Sequence, residues 1–568
     1  IRIQDNKLLY GSNVPSGSWI SCAGSTTINN GQWVHIAVVK NNNNVQLYVN
    51  GIADGSGTNA NIANVNRMVI GTYYERGVVY NNMAFEGKID EMRIWNDVRT
   101  ETEIRQNMYR ELDDPASESN LVSYYKFNET SGMILEDSKG DNHGQLQNMA
   151  GNEWETSSAM FGPKNCLDFD GVDDYVECGN DASITEFSNF TMEAWVKLDN
   201  ANDNQKILGK FKDWDNYYIL GVVAGQNYSQ IMVAGNEINF ASGNVPSGVW
   251  THLAVTFSKG NGGANGTCYG YVNGEVVYSK TDVADAAISV SNASDPFRIG
   301  LAPWDINAFK VNGQIDEVRI WNTARTASEI RENMMRTLNG NESGLAAYYN
   351  FDNTTGNKLQ DFSVNGNDGT LTNMANDDWV TSSAFNTWLN TNSTTWSIAS
   401  NWSNGVPVST DNVGIYKWSG NSEVSISGTP EINNLVISST ASPTLDSDIT
   451  VNGNFINAGG TLNGGASTVF LGGTSQAIAG NTSFYNLSKT VLSSDTLTFE
   501  SGSTTTVTGT LTLKGTDGQP LSLRSDVNGT RWNIDPQNIR DIDYVDVKDS
   551  ENINENTINV INFTDSGN

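Results

Sequence analysis

The stretch GQIDEVRIWN, residues 313–322, repeats an earlier stretch, GKIDEMRIWN, residues 87–96. Two more stretches recur in the same order along the chain: WVHIAV (33–38) as WTHLAV (250–255), and YVNG (48–51) as YVNG (271–274). Because self-similarity in a fixed order is the signature of a duplicated structural unit, the chain contains two copies of one fold with small loop insertions between them.

Each copy shows the period-two alternation of short β-strands, and the strand-like runs end in the hairpin signal Asn-Gly. One helix interrupts each copy, because Thr100 is followed by Glu103 and Thr326 by Glu329 at the spacing of a capping box. Apolar residues four apart predict one buried face per helix: Ile104, Met108 and Leu112 in the first, Ile330, Met334 and Leu338 in the second. The pattern predicts two antiparallel all-β sandwiches.

The second copy contains a long segment before Trp250, whereas only 32 residues precede its counterpart Trp33. We therefore expect the opening strands of the first copy to lie upstream of Ile1. The segment LVSYYKF (121–127), repeated as LAAYYNF (345–351), is assigned to the end of each copy. The predicted domains are therefore 1–161, which is incomplete at its N-terminus, 162–385, which is complete, and 386–568.

The first two domains resemble the concanavalin A-like, laminin-G-like and pentraxin-like jelly rolls of bacterial surface proteins. The matching motifs, which cover roughly residues 1–385, are LDFDGVDDYV (167–176), WTH (250–252) with YVNG (271–274), IDEVRIWN (315–322), and YYNF (348–351) followed by Asp361. The resemblance implies two tandem jelly-roll sandwiches. It does not fix a function, since this fold hosts lectins, adhesins, spacers and glucanases alike.

The third predicted domain begins at Asn386, where the composition shifts towards Thr, Ser, Gly and Asn. Trp388, Trp396 and Trp402 lie close together and are followed by short, irregularly spaced apolar runs. Such runs are typical of the stacked rungs of a parallel β-solenoid, and a further β-sandwich is the alternative. Residues 386–568 resemble the β-helical segments of large bacterial adhesins, with the tryptophan-rich opening as a cap.

The charge of the chain excludes two classes of partner. Its 568 residues contain 33 Lys and Arg against 64 Asp and Glu, a formal charge of −31, although only 17% of residues are charged. Such a chain repels nucleic-acid phosphates and anionic lipids. We find no run of about 18 apolar residues, so membrane insertion is not expected either.

Catalytic motifs are not found in the sequence. A glucanase on this scaffold needs two carboxylates that project the same way from one strand, and neither Glu-x-Asp-x-Glu nor Glu-x-Asp-x-x-Glu occurs. The adjacent Asp316 and Glu317, like Asp90 and Glu91, are expected on opposite strand faces. With only three histidines as well, the sequence predicts a protein that is not an enzyme.

Calcium is the one cofactor that the sequence suggests. The loop DFSVNGND (361–368) offers oxygens at Asp361, Ser363 and Asn365 with Gly366 at the sixth position, as in the first half of an EF-hand loop, and Asn367 adds another oxygen. The corresponding loop of the first copy, with Asp137 and Asn142, is a weaker candidate because Lys139 takes the third position. The alternative is an ordinary Asx-turn loop.

Carbohydrate binding requires exposed aromatic faces beside amide and carboxylate groups. Such residues occur in two loops of the second copy and one of the first; the candidates are Trp304, Asp305 and Asn307, then Trp214 and Tyr217, and finally Tyr73 and Tyr74. The alternative is that these aromatic residues belong to the core. Because the copies differ in these loops, they are expected to recognise different ligands or none.

Four cysteines occur, and Cys166 and Cys178 flank a segment that can be read as a tight hairpin centred on Val172. Opposed positions of an antiparallel pair bring Cβ atoms within disulfide reach, so a bond between Cys166 and Cys178 is predicted, with Cys22 and Cys268 as thiols. The alternative is two small buried side chains.

The sequence as a whole predicts a segment of an extracellular, cell-surface adhesin that contacts glycans or a solid surface through its jelly rolls, alongside further domains of a longer chain. Two alternatives stay open: a purely structural spacer, or an ancillary binding module of a polysaccharide-degrading enzyme.

Overall fold

A computed structural model describes most of the chain, namely residues 1–13, 19–28, 33–58, 68–75, 78–80, 84–108, 112, 115–129, 131–151, 153–154, 165–233, 235–262, 264–291, 295–353, 356–389, 394–417 and 423–567. The chain divides into two compact units, Ile1–Pro163 and Lys164–Asn568. The predicted domains 162–385 and 386–568 therefore fall almost wholly within one unit. In the described ranges, no helix is long and apolar enough to cross a bilayer.

The first unit consists of short antiparallel strands and helix α1 (Glu101–Asn107). Strands β1-β2-β3 and β4-β5-β6 form two sheets that share a small core of Leu8, Cys22, Val45, Leu47 and Val49. The strands are β1 (Arg2–Gln4), β2 (Lys7–Asn13), β3 (Trp19–Ala23), β4 (Ile36–Asn41), β5 (Asn44–Val49), β6 (Ile52–Thr58), β7 (Tyr73–Glu75), β8 (Val78–Tyr80), β9 (Met92–Trp95), β10 (Leu121–Tyr125), β11 (Ile134–Leu135) and β12 (Gly144–Gln145).

The second unit begins with a jelly-roll sandwich, which confirms the predicted fold. Its strands are β13 (Asn165–Asp170), β14 (Tyr175–Glu177), β15 (Glu186–Phe187), β16 (Asn189–Leu198), β17 (Gln205–Asp213), β18 (Asn216–Val223), β19 (Gln226–Val233), β20 (Asn236–Asn244), β21 (Thr251–Ser258), β22 (Gly266–Val272), β23 (Glu275–Val283), β24 (Ile288–Ser289), β25 (Arg298–Ile299), β26 (Asn312–Trp321), β27 (Leu345–Tyr349), β28 (Lys358–Leu359), β29 (Gly369–Thr372) and β30 (Trp379–Thr381).

Two eight-stranded antiparallel sheets form this sandwich. Sheet A has the order β23-β22-β21-β16-β26-β13-β30, with β27 also paired to β26, and sheet B has the order β20-β19-β18-β17-β25-β14-β29-β28. Alternate residues of each strand face the space between the sheets, as Met192, Ala194 and Val196 do from β16, and Tyr218 and Leu220 from β18. These side chains make the apolar core.

The two helices begin where the sequence predicts. Helix α2 spans Ala327–Asn333, and the capping box is complete in both helices, with Thr100 and Thr326 each accepting from the backbone N–H of the Glu three residues on. The six predicted apolar residues are buried, but Leu112 and Leu338 lie beyond the helices, which end at Asn107 and Asn333, so the predicted apolar faces extend too far along the chain.

The predicted disulfide is wrong, because all four cysteines are free and buried. Cys166 lies on β13, which pairs with β26 and β30 in sheet A, whereas Cys178 follows β14, which pairs with β25 and β29 in sheet B. The segment between them does not form a hairpin; it carries the chain from one sheet to the other. The two thiols therefore pack in different places: Cys166 on the outer face of sheet A and Cys178 in the core.

The expectation that Asp316 and Glu317 face opposite ways is also wrong. Glu317 takes a left-handed backbone conformation with φ of 51°, and the register of β16 against β26 shifts at this point. Such a β-bulge re-aims one side chain. Both carboxylates consequently line one small cavity of about 10 Å³, together with Asp352 and Ser382.

The rest of the second unit is a parallel β-solenoid, not a further sandwich. Its strands are β31 (Asn386–Thr387), β32 (Val413–Ile415), β33 (Ser425–Ile426), β34 (Glu431–Ile432), β35 (Leu435–Ile437), β36 (Thr444–Leu445), β37 (Ile449–Val451), β38 (Phe455–Asn457), β39 (Asn463–Gly464), β40 (Thr468–Leu471), β41 (Gln476–Ala479), β42 (Thr482–Phe484), β43 (Asn486–Thr490), β44 (Asp495–Phe499), β45 (Thr504–Val507), β46 (Thr510–Lys514), β47 (Leu521–Ser525), β48 (Trp532–Pro536), β49 (Ile539–Asp543), β50 (Val545–Val547), β51 (Ser550–Asn552) and β52 (Phe563–Asp565).

Successive rungs pair in parallel along the faces of the solenoid, with Val413 opposite Leu435 and Leu435 opposite Phe455. Most rungs contribute three strands, so one face is a nine-stranded sheet that ends in β52 and another is the six-stranded sheet β34-β37-β40-β43-β46-β49. Stacked apolar residues fill the interior, and Trp388, Trp396 and Trp402 are buried at its beginning.

The sandwich packs against the solenoid within the second unit. Met334 and Met335, which follow α2, share a buried cluster with Val436, Ile456 and Ala479 of the nine-stranded sheet. Polar contacts reinforce this junction: Thr387 Oγ1 donates to the Met335 carbonyl at 2.7 Å, and Arg331 Nη1 lies 2.5 Å from Glu500 Oε1. The buried contacts hold sandwich and solenoid as one body.

Candidate functional site

An aromatic surface lies on the outer face of sheet B. Strands β17 and β18 form a hairpin in which Phe211 stands opposite Tyr217. Since Tyr218 and Leu220 point into the core, their neighbours Tyr217 and Ile219 point outward. The loop between β25 and β26 brings two more rings to this face, Trp304 and Phe309, and the turn of the hairpin carries Trp214.

These five residues, Phe211, Trp214, Tyr217, Trp304 and Phe309, are called the aromatic patch. Their rings contact one another: Phe211 and Trp214 lie 5.0 Å apart between centroids, Trp214 and Trp304 5.8 Å, and Trp304 and Phe309 6.1 Å. The planes of Trp214 and Trp304 are inclined by 55°. Trp214 is 64% exposed and Phe309 39%, so the patch offers ring faces to solvent. An exposed apolar cluster of this kind marks a contact surface.

Trp214 stands at the tip of a hairpin turn that its neighbours hold rigid. Asp213 Oδ1 accepts from the backbone N–H of Asp215 at 3.0 Å and from Asn216 Nδ2 at 3.1 Å. A carboxylate that bonds the backbone two residues on makes an Asx-turn, and the turn leaves the indole projecting from the sheet. The backbone N–H of Gly235 reaches the Asp215 carbonyl at 3.3 Å and ties the tip to the next hairpin.

The loop that carries Trp304 is held in place by several hydrogen bonds. Arg298 Nη1, which is buried, donates to the Pro303 carbonyl at 2.6 Å, and its Nε and Nη2 contact Glu177. The backbone N–H of Lys206 donates to the Phe309 carbonyl at 2.9 Å. Asp305 Oδ1 accepts from the backbone N–H of Asn307 at 2.9 Å, a second Asx-turn. The loop is thereby fixed before any ligand arrives.

Lys206 lies beneath this loop and is 3% exposed. Its ammonium group lies 3.7 Å from the ring centroid of Tyr228 and 5.2 Å from that of Phe309, and it donates to Asn204 Oδ1 at 2.7 Å. Burial lowers the pKa of Lys206 to about 8. The cation–π contacts attach Phe309 to the sheet.

Polar side chains continue the same face on the neighbouring strands β19 and β20. Tyr228 donates to Gln230 Oε1 at 3.0 Å, Gln230 Nε2 donates to Glu237 Oε1 at 2.6 Å, and Asn239 Nδ2 to the same oxygen at 3.3 Å. Glu237 and Asn239 are exposed. Burial, and then the charge of Glu237, raises the pKa of Tyr217 to about 12. Amide and carboxylate groups thus border the rings.

The structure brings together three of the residues singled out for sugar binding, Trp214, Tyr217 and Trp304, although Tyr217 is itself buried. Asp305 and Asn307 are exposed in the same loop as Trp304. Sequence reasoning missed Phe211, Phe309, Lys206, Gln230 and Glu237, for which alternation along β17 to β20 was the available signal. Tyr73 and Tyr74 lie on β7, and their side chains are outside the described part of the chain.

The predicted calcium loop is held by hydrogen bonds to one buried carboxylate. Asp361 is fully buried, and its carboxylate accepts four hydrogen bonds of 2.7 to 2.9 Å. Oδ1 accepts from the backbone N–H groups of Tyr348 and Ser363. Oδ2 accepts from the backbone N–H of Asn367 and from the Ser363 hydroxyl. The amide nitrogens of Asn365 and Asn367 donate to the Ala346 carbonyl. Donors surround this carboxylate, which favours the turn, and calcium binding here stays an untested prediction.

The first unit repeats this arrangement with Asp137. Its Oδ1 accepts from the backbone N–H groups of Tyr124 and Lys139, and its Oδ2 from that of Asn142, at 2.9 to 3.2 Å. Asn142 itself donates to Ser123 Oγ at 2.9 Å. Asp137, the weaker calcium candidate, therefore holds its loop by hydrogen bonds as Asp361 does, and calcium binding there is equally untested.

Three carboxylates that the calcium prediction did not include lie together between β13 and β14. Oxygens of Asp170, Asp173 and Asp174 lie within 4.8 Å of one another. Burial of Asp174, with the neighbouring carboxylates of Asp170 and Asp173, raises its pKa to about 6. Asp170 Oδ1 accepts from the backbone N–H of Val172 and Asp174 Oδ2 from that of Asp170, so these carboxylates shape the crossing between the sheets.

A charged network on the outer face of sheet A lies out of reach of solvent. Glu193 accepts from Trp321 Nε1 at 2.8 Å and lies 3.3 Å from His252 Nε2, and Arg319 Nη2 lies 2.5 Å from Glu317 Oε2. Arg319 Nη1 donates to the Asn333 carbonyl at the end of α2. Since these side chains are at most 3% exposed, they anchor the helix and meet no substrate.

Comparison with solved structures finds similar proteins at low identity and low TM-score. A protein from Bacteroides ovatus is 22% identical, with 42% of this chain and 68% of that chain covered and a TM-score of 0.31. A pentraxin from Limulus polyphemus is 15% identical, with 30% and 80% covered and a TM-score of 0.25. The sialidase carbohydrate-binding module of Ruminococcus gnavus is 14% identical, with 30% and 97% covered and a TM-score of 0.24. No curated protein sequence matches this chain.

The family comparison agrees with the architecture in both units. Two stretches of the chain match one laminin-G family model, in the same order as the sequence repeat. The matched stretches are residues 2–105 and 170–331, and the model describes the concanavalin A-like lectin/glucanases superfamily.

Proposed function

We propose that the sandwich of the second unit binds carbohydrate through the aromatic patch, as one module of an extracellular, cell-surface protein. The observation that carries this proposal is the exposure of Trp214, 64%, in the middle of contacting rings on a rigid turn. A large ring held in water costs free energy unless a ligand covers it. The apolar face of a pyranose is a suitable cover for an indole.

The surroundings of the patch supply the polar half of sugar recognition. Gln230, Glu237 and Asn239 border the rings on β19 and β20, and Asp305 and Asn307 border them in the loop. Side-chain amides and carboxylates beside an apolar surface fix the orientation of a ligand's hydroxyl groups. Because turn and loop are already hydrogen-bonded, little ordering is left to oppose binding.

The angles between the rings indicate the shape of the ligand. Trp214 and Trp304 are inclined by 55°, and Phe211 and Trp214 by 71°. Rings so inclined cannot lie together on one flat surface. A single soluble oligosaccharide chain or chain end therefore fits the patch better than a flat crystalline polysaccharide.

Glycans on a cell or solid surface are the partners that suit the role of an adhesin, and calcium binding at the 361–368 loop stays an untested prediction. We propose no hydrolysis, because the carboxylates near β16 and β26, Glu193 and Glu317, are buried in the helix-anchoring network. Release of reducing sugar from the bound glycan by purified protein, abolished in Glu193→Gln, would contradict this.

A structural spacer is the second candidate, and the junction between sandwich and solenoid favours it. Met334, Met335, Val436 and Ile456 share one buried cluster, so sandwich and solenoid are packed together within one compact unit. A spacer binds no ligand, whereas an adhesin module can be both rigid and sugar-binding.

Glycan-array binding of the whole chain, compared with its Trp214→Ala variant, distinguishes the candidates. We expect wild-type binding and at least a tenfold loss in the variant, since a stacked aromatic ring contributes roughly 1.5 kcal/mol or more. Phe470→Ala is the matched control, because Phe470 is 40% exposed on the solenoid. Absence of wild-type binding to every glycan would favour the spacer; equal loss in both variants would contradict the assignment of the patch.

A further inference from the structure

The charges around the aromatic patch are of one sign. Asp213 and Asp215 flank Trp214, Asp305 follows Trp304, and Glu237 lies on β20 near enough to Tyr217 to act on its hydroxyl. All four side chains are exposed. Exposed carboxylates are negatively charged at neutral pH. These four residues, Asp213, Asp215, Glu237 and Asp305, are called the acidic rim.

The neighbouring cations do not compensate for this rim. Lys206 is covered by the rings of Tyr228 and Phe309, and Lys210, which is fully buried, donates to Asn180 and to the Asp295 carbonyl. Lys212 interacts with Glu186, and Lys310 donates to the Val172 carbonyl.

The remaining cation of this region, Arg298, is committed to Glu177 and the Pro303 carbonyl. Strands β18, β19 and β20 contain no Lys or Arg at all. A ligand on the patch therefore contacts carboxylates, whereas the cations just named are buried or half-buried and have partners of their own. The exposed Lys358 lies on β28, at the far edge of sheet B.

We infer that the aromatic patch selects uncharged glycans and discriminates against sialylated, sulfated and uronic-acid glycans. This inference rests on the proposed function. A carboxylate or sulfate seated on the patch faces repulsion from four like charges, and it finds no basic group with which to pair. Neutral hydroxyl groups, in contrast, can donate hydrogen bonds to the same carboxylates.

The size of the discrimination follows from Coulomb repulsion in water. Each rim carboxylate is expected to weaken the binding of an anionic sugar by roughly a factor of two at low salt, and four of them by roughly 16-fold. The effect should shrink as salt is raised, because the Debye length falls from about 10 Å at 0.1 M to about 3 Å at 1 M.

The experiment uses the full chain and pairs of oligosaccharides that differ only in charge: neutral galacto-oligosaccharides with their sialylated and sulfated forms, and neutral galactan with polygalacturonate fragments. Affinities are measured at low and at high salt. We expect neutral members to bind at least about tenfold more tightly than their anionic partners at low salt, with a smaller difference at high salt.

Two rim variants test the cause of the discrimination. Asp213→Asn, Asp215→Asn, Glu237→Gln and Asp305→Asn combined should bring neutral and anionic partners within about twofold, and the amides keep the acceptors that the two Asx-turns need. Asp215→Asn with Glu237→Gln, which leaves both turns untouched, should give an intermediate result. Asp517→Asn with Glu555→Gln, two exposed carboxylates of the solenoid, is the matched control and should change nothing.

The outcomes separate this inference from the function on which it rests. Anionic partners that bind as well as or better than neutral ones would overturn the inference and leave sugar binding by the patch intact. Discrimination that persists in the four-residue variant would overturn it as well. Failure of every glycan to bind wild-type protein would overturn the proposed function, and the inference with it.

Discussion

The indole of Trp214 lies 5.8 Å from that of Trp304, between ring centroids, and the two come from separate segments, the turn between β17 and β18 and the loop between β25 and β26. Arg298 holds one of these loops through the Pro303 carbonyl, and Asp213 holds the other through an Asx-turn. The relative position of the two rings therefore depends on side chains that are not part of the patch.

Replacing Arg298 should disturb Trp304 without removing any ring. In Arg298→Met, the Pro303 carbonyl loses its charged donor, and we expect about 2 kcal/mol of destabilisation and a several-fold weaker affinity for the glycan that wild type binds. Chemical denaturation measures the destabilisation and glycan titration measures the affinity, both in a variant shown to be folded by circular dichroism. Arg531→Met, at an arginine that is half-exposed on the solenoid, is the control; unchanged affinity in Arg298→Met would contradict the role of the loop.

The cysteines should behave as four inaccessible thiols. Each is at most 5% exposed, and burial raises the pKa of Cys268 to about 12, so thiolate formation is suppressed. We expect no alkylation of native protein without reductant, and four modified cysteines after unfolding, again without reductant. Recovery of a peptide that links Cys166 to Cys178 would restore the hairpin interpretation.

Removing the buried carboxylate of the 361–368 loop should destabilise the sandwich strongly. Asp361→Ala leaves three backbone N–H groups and a hydroxyl without their acceptor, and we expect a loss of about 3 kcal/mol or more by chemical denaturation. Asp368→Ala, which removes the acceptor of the Asp361 backbone N–H at 3.0 Å, should cost less.

The same variant tests the predicted calcium site. If the loop is a turn only, calcium leaves the melting temperature of wild type unchanged; if it holds calcium, the melting temperature rises with calcium, and this rise disappears in Asp361→Ala. The hydrogen bonds that already occupy Asp361 lead us to expect the first result.

Asp174 should make the stability of the sandwich depend on pH between about 4 and 6. Its pKa is raised to about 6 in the folded protein, against about 4 in an unfolded chain, so the folded state binds the proton more tightly. The contribution of Asp174 to stability is thus greatest at the acid end and is lost as pH rises through this window. The free energy of unfolding of Asp174→Asn, relative to that of wild type, should therefore increase from about pH 4 to about pH 6 when both are measured by denaturation. A difference that stays constant with pH would contradict the raised pKa of Asp174.

Much of the fold was predictable because local pattern and tertiary structure agree. The capping boxes at Thr100 and Thr326 form as their spacing indicates, since the partners lie within one helical turn. The rung-like runs after Asn386 stack in parallel, because none of them can bury its apolar residues alone. Both signals involve residues close together in sequence, and the folded structure contains both features as predicted.

The two incorrect predictions both concern where a side chain points in the folded protein. Cys166 and Cys178 are close in sequence, but the chain changes sheet between them. Asp316 and Glu317 alternate in sequence, but a bulge turns both towards one cavity. Neither the choice of partner strand nor a bulge follows from the residues concerned, because both depend on how distant strands pack.

The residue pattern alone predicts a duplicated all-β sandwich followed by solenoid rungs, and it names Trp214, Tyr217 and Trp304 among the residues that could bind sugar. Their contact with one another and with Phe211 and Phe309, inside the acidic rim, is seen only in the folded chain. Alternation and turn signals act over a few residues, whereas a binding surface is assembled by the pairing of strands that lie far apart in the chain.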